Sequence, residues 1–200
     1  MLLSHSHISF FRKNKYLRNI FLRSLAPRTA FKMKHVKPFL SAATTVLDIG
    51  AGACGIAYAL QKQHYAVTAL DVKNLSFFPE INPVIYTEGS AFPFPDKSFE
   101  VALLLTVLHH CTEPEQVLRE AKRVAHKLIV MEDIYHNFVQ KQATYAMDSL
   151  VNLEFLGHPH NNKTATAWEN IFYELDLHIS YKKTFRRAGL FRQVVYVLEN

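Results

Sequence analysis

Val46-Leu47-Asp48-Ile49-Gly50-Ala51-Gly52-Ala53-Cys54-Gly55 decides the fold, and it holds three of the six glycines in the chain. An apolar run with Thr45 enters it, an acid closes that run, and a glycine loop follows. Ile56-Ala57-Tyr58-Ala59-Leu60 then continues as a helix. Strand, glycine turn and helix open a nucleotide-binding βαβ unit. Glycine serves there where φ must be positive or where a Cβ would hold a ligand off the backbone. The helix start offers free N–H groups.

Read literally, Gly50-x-Gly52-x-x-Gly55 is the spacing of a dinucleotide site, and a ligand-free glycine turn fits it as well. Asp48 separates the readings. A carboxylate two residues before the loop repels a pyrophosphate and attracts a cation. S-adenosylmethionine carries an ammonium and a sulfonium and no phosphate. Asp48-x-Gly50-x-Gly52 resembles the first motif of the class I S-adenosylmethionine-dependent methyltransferases. That family often has glycine where this chain has Cys54, so the turn is expected to differ slightly.

A second stretch carries the resemblance further. Glu88-Gly89-Ser90-Ala91-Phe92-Pro93-Phe94-Pro95-Asp96-Lys97-Ser98-Phe99-Glu100 leads into an apolar strand at 100–105, and Leu108-His109-His110 follows. The run resembles that of the small-molecule methyltransferases that include the ubiquinone and menaquinone C-methyltransferases. With it the likeness extends from about Ala30 to Asp133 and argues against a dehydrogenase. It implies an α/β fold: a doubly wound, mostly parallel seven-stranded sheet with helices on both faces. It also implies S-adenosylmethionine at Asp48, Gly50, Ala51, Gly52, Gly55, Asp71, Val72, Ser90, Ala91 and Leu105. The family usually has an acid at the position of Ser90, where it accepts from the adenine amino group; a hydroxyl accepts more weakly.

The chain of 200 residues is 49% apolar, enough for one domain with a core and too apolar for disorder. No run reaches the roughly 18 apolar residues of a membrane span. Two cysteines, Cys54 and Cys111, make no disulfide framework and read as buried, reduced residues, which suits a cytoplasmic protein. The net charge of +6 is unevenly spread: residues 1–47 hold nine Lys and Arg and no acid, so the remainder is −3. Residues 1–27 therefore form a basic amphipathic arm. Residues 28–200 form a single domain, with the cofactor half at 44–133 and the C-terminal half at 134–200. Three uses of the arm compete: a helix over the cofactor cleft, a contact with an anionic membrane or nucleic acid, and a transit peptide. The lid requires Phe10, Leu17, Ile20 and Phe21 to be buried.

Periodicity predicts a helix over 8–25, broken by Pro27, and a second over 29–40 capped by Thr29. Strands follow at 45–49, 65–72, 84–86, 100–105 and 126–133. Thr112-Glu113-Pro114-Glu115 is a capping-box pattern for a helix. Helices are expected over 136–155 and from Thr164 or Thr166 to about 175. The last strands are 177–181 and 193–198.

Asp71 closes the second strand and suits the ribose hydroxyls; a plain turn or cap residue is the alternative. Candidates for acid–base work are His109, His110 and His158, with Glu132, Asp133, Tyr135 and His160 on the substrate side. The histidine pair reads equally well as a helix start and a core residue. His158-x-His160 is too little for a metal site, so no metal is assigned. The acceptor is read as a small molecule. RNA is the runner-up, because of the basic arm, but no Asn-Pro-Pro-Tyr-like tetrapeptide follows the fourth strand. A binding-only scaffold is the non-enzymatic alternative.

Overall fold

The computed structural model describes residues 14–42, 44–135, 161–187 and 191–199, together with Gln140 and Gln142. The sheet is built from β1 (Thr45–Ile49), β2 (Ala66–Asp71), β3 (Val84–Ile85), β4 (Phe99–Leu105), β5 (Ala125–Ile134), β6 (His178–Arg187) and β7 (Phe191–Glu199). Its order is β3-β2-β1-β4-β5-β7-β6. β7 runs antiparallel to both β5 and β6, and the remaining pairs are parallel. The helices are α1 (Lys15–Val36), α2 (Gly55–Gln61), α3 (Pro114–Val124) and α4 (Ala165–Glu174).

Alternation along the strands divides the core. Leu47, Ile49, Leu104, Leu128, Val130 and Tyr196 pack toward α3 and α4. Val46, Val101, Leu103, Ile129, Met131 and Val195 turn toward α1 and α2. A strand with both faces buried must read as a continuous apolar run, as β4 and β5 do. The strand order reverses between β1 and β4, so the loops leaving their C-terminal ends diverge and open a crevice.

Two expected helix starts are corrected. Pro27 does not break the first helix: α1 runs through it, and Asn14 caps its start by accepting from the N–H groups of Tyr16 and Leu17. Pro27 lies on the exposed side, so the carbonyl it leaves unbonded faces water. Inward residues hold the helix together: Met33 and Val36 are buried in the core. Thr29 is an interior residue of this helix rather than a cap.

Thr112 likewise does not cap α3. Glu113 is the N-cap, with non-helical backbone (φ −126°, ψ 76°) and Pro114 in the first turn. A residue before proline is disfavoured in helical conformation, so the helix begins at the proline. The Thr112 N–H donates instead to Glu88 Oε1 at 2.8 Å. Thr164 does cap α4, accepting from Ala167 N. The helix expected over 136–155 falls almost wholly outside the described residues.

Candidate functional site

The glycine loop closes β1 and is stitched to the neighbouring strand. Gly50 N and Ala51 N both donate to Leu70 O, at 2.8 and 3.2 Å. Gly50 has φ +66° and lies so close to β4's exit that a Cβ would stand 2.1 Å from Val107 Cγ2. Gly52 also has positive φ, but a Cβ there would meet nothing nearer than 4.0 Å, so its open side faces the crevice. Cys54 stands where the resemblance implies glycine and has φ +60°. A side chain in that region costs about 1 kcal/mol. Burial of the thiol in the small cluster with Ala57, Ala69 and Ile81 offsets it.

Asp48 sits beneath this loop and is 3% exposed. Its Oδ2 is buried and has no hydrogen-bond partner among the described residues. Burial pushes its carboxyl up to about 7, against the pull of Lys32. Lys32 was not foreseen as a site residue. It reaches in from α1, and its Nζ donates to Leu105 O at 2.8 Å and to Thr106 Oγ1 at 2.7 Å. Asp71, 7% exposed, closes the other side. Its Oδ2 accepts from Gly52 N at 2.7 Å and its Oδ1 from Lys73 N at 3.1 Å. Burial raises the Asp71 carboxyl, while those backbone donors hold it down. Val72, the next residue, is 39% exposed, an apolar shelf at the crevice edge. Ser90 and Ala91 are exposed; the Ser90 hydroxyl donates to Thr87 O at 2.6 Å and keeps its lone pairs for accepting.

The turn after β4 is folded around Glu132. This side chain is fully buried, and its Oε1 accepts from Val107 N at 3.0 Å and Leu108 N at 2.8 Å. Its Oε2 meets His109 Nδ1 at 2.5 Å. The substrate-side expectation for Glu132 is therefore corrected. Its oxygens are spent on the turn, and it positions rather than contacts a ligand. His109 is 1% exposed. The His110 ring lies 4.0 Å from it, tilted by 43°, and is partly exposed, so it is the ring of the pair that can reach a ligand.

Asp133 lies beside this turn at the end of β5. Burial raises its carboxyl, opposed by His109 and by a hydrogen bond from Gln193. Tyr135 is half-buried at the same edge. Asn161 N donates to His109 O at 3.1 Å, bringing the start of the C-terminal half against the turn. The adjacent Asn162 carboxamide, 4% exposed, has neither its oxygen nor its nitrogen partnered among the described residues. His158 and His160 lie outside the described residues. Among the described residues no group of three or more His, Cys, Asp and Glu could hold a metal. Burial pushes the Cys111 thiol up to about 12, which suits a packed residue and not a nucleophile.

A buried carboxylate with one oxygen left without a partner, an open glycine face and a second acid at the next strand end fit a ligand with a cationic end and vicinal hydroxyls. Residues 47–128 match a family described as a methyltransferase domain. No curated protein matches the chain. Solved structures share the fold. The S-adenosylmethionine-dependent methyltransferase of Methanosarcina mazei is 19% identical, with TM-score 0.64 over 82% of this chain and 95% of that one. A protein of Thermotoga maritima described as a possible histamine N-methyltransferase is 16% identical, with TM-score 0.66 over 97% and 99%. The cyclase SpnF is 12% identical, with TM-score 0.64 over 86% and 80%. The matched methyltransferase domain and the site it covers support S-adenosylmethionine-dependent methyl transfer, with S-adenosylmethionine as the cofactor.

Two outcomes follow. A cationic ligand favours ionised Asp48, whose carboxyl stands near pH 7 without ligand. Binding at pH 6 should release a proton, and affinity should rise with pH and level off above about 7. Calorimetry in buffers of different ionisation enthalpy measures this, and Asp48→Asn should abolish it. Removing Glu132 strands two buried N–H groups and an imidazole. Glu132→Ala should cost roughly 3–5 kcal/mol in urea unfolding, and Glu132→Gln, which keeps an acceptor, about 1 kcal/mol.

Proposed function

We propose that the chain transfers the methyl group of S-adenosylmethionine to a small-molecule acceptor seated above the C-terminal ends of β4 and β5. The inward fold of residues 107–110 around Glu132 carries the reading. An enzyme that grips the amino group of an extruded base needs acceptors and flat surface presented after β4. Here the peptide groups of Val107 and Leu108 turn inward onto a carboxylate. The resemblance of residues 88–110 to the small-molecule group points the same way.

S-adenosylmethionine supplies a methyl group already activated on a sulfonium, so much of the remaining work is positioning. Asp48 matches the cationic end of such a ligand, and Gly50, Ala51, Gly52 and Gly55 let it approach the backbone. Asp71 has accepted two N–H groups, and a carboxylate has about four acceptor sites, so it keeps capacity for ribose hydroxyls. Val72, Ser90 and Ala91 border the base, and Leu105 floors the crevice. When the acceptor must lose a proton, His110 takes it. His109, fixed on Glu132, is the ring that His110 packs against.

The test is to incubate the protein with methyl-labelled cofactor and cell extract, then separate small molecules, RNA and protein. Label in the small-molecule fraction supports the proposal. Label in RNA or protein overturns the acceptor class, and no label in any fraction favours a binding-only scaffold. His110→Ala should cut turnover roughly 100-fold or more while leaving cofactor affinity unchanged.

A further inference from the structure

Helix α1 has two working sides. Its inner side is docked along the cofactor crevice. Phe21 stacks on Phe77 at 4.0 Å, and the Arg18 guanidinium donates to Phe77 O at 3.1 and 3.3 Å. A Cβ on Gly55 would stand 2.7 Å from Thr29 Oγ1 and 3.1 Å from Leu25 Cδ2, so the helix rests directly on the start of α2. Lys32 and the buried Met33 and Val36 complete that side.

The outer side is different. Tyr16, Ile20, Arg23, Pro27 and Lys34 recur at the steps of one helical face, and all five are exposed. Tyr16 is 75% exposed and Ile20 49%. The lid requirement thus holds partly for Leu17 and Phe21, not for Ile20; Phe10 lies outside the described residues. Besides Arg23 and Lys34 within the stripe, Lys15 and Arg28 add cations on the helix, with no acid anywhere in residues 1–47. Beyond its C-terminal turn the positive surface continues onto the edge strand β6. The His35 ring lies 4.0 Å from that of Phe185, and Lys183 Nζ is 5.5 Å from the Phe185 ring. Burial first, and then Lys183 and Lys34, hold His35 below its ordinary value.

We infer that the outer face of α1 docks this protein on an anionic lipid surface. Charge alone would also suit a nucleic acid. Ile20 decides between them: a phosphate chain uses cations and rings but gains nothing from an exposed aliphatic side chain. A bilayer interface takes Tyr, an aliphatic residue and flanking Lys and Arg together. The contact is peripheral, since no helix among the described residues is long and apolar enough to cross a membrane. Docking by the outer face leaves the inner face on the crevice, so the helix closing the cofactor site is the one that meets the lipid. The inference does not depend on which acceptor is methylated.

Flotation of the full chain with vesicles tests it. Binding to phosphatidylglycerol–phosphatidylcholine vesicles is expected, with little to phosphatidylcholine alone and progressive release by salt. The double variant Tyr16→Ser, Ile20→Ser should lower partitioning roughly tenfold or more. Arg23→Gln with Lys34→Gln should lower it further at low salt than at high salt. Both pairs should keep the wild-type melting temperature and affinity for S-adenosylhomocysteine. Absence of vesicle binding overturns the inference, as does partitioning indifferent to Tyr16 and Ile20. Tight binding of a single-stranded RNA without vesicle binding also overturns it and assigns the face to nucleic acid.

Discussion

The site depends on one buried charge. Asp48 lies at the end of β1, where the strand order reverses, in a place almost without water. A carboxylate taken out of water must be matched or neutralised. Lys32 supplies part of the match through its field, and one carboxylate oxygen is still without a hydrogen bond. A cation brought near that carboxylate would offset part of the cost of burying it. The affinity is thus partly stored in the protein before the ligand arrives.

This constraint ties distant segments together. Lys32 can influence Asp48 only if α1 crosses the sheet edge. That path is fixed by Leu25 and Thr29 against Gly55 and by Met33 and Val36 in the core. Glu132 plays the matching role one strand further along, where it collects the N–H groups of the turn and the imidazole of His109. Two buried acids thereby define the two halves of the site. Asp48 keeps one oxygen without a hydrogen bond; Glu132 has both oxygens engaged and holds the scaffold. The fold itself does not confer the chemistry: the cyclase SpnF shares it, so the activity rests on the matched domain and on these side chains.

Much of this was legible in the sequence because the signals are local. The apolar runs of β1, β4 and β5, the glycine loop and the acids at strand ends each need only neighbouring residues to be read. What was missed depends on tertiary contact. Lys32 looks like one more charge on a basic helix until the chain folds and Leu105 O becomes its partner. Pro27 reads as a break because propensity ignores the packing on either side of it. Glu132 reads as a pocket residue from its place at a strand end. That the Val107 and Leu108 amides would claim it is a fact of three dimensions. Cys54 is the converse case. The resemblance marked the position as unusual, and Cys54 there takes the left-handed backbone that glycine adopts without strain.

The central claim is that the crevice recognises the charged amino-acid end of its ligand through Asp48, not a nucleotide alone. The most direct measurement is a calorimetric comparison of S-adenosylmethionine, S-adenosylhomocysteine, methylthioadenosine and NAD on the full chain. Methylthioadenosine keeps the nucleoside and lacks the ammonium and carboxylate. The account predicts binding of the first two, at least roughly tenfold weaker binding of methylthioadenosine, and none of NAD. Equal affinity for methylthioadenosine, or tight binding of NAD, would contradict it.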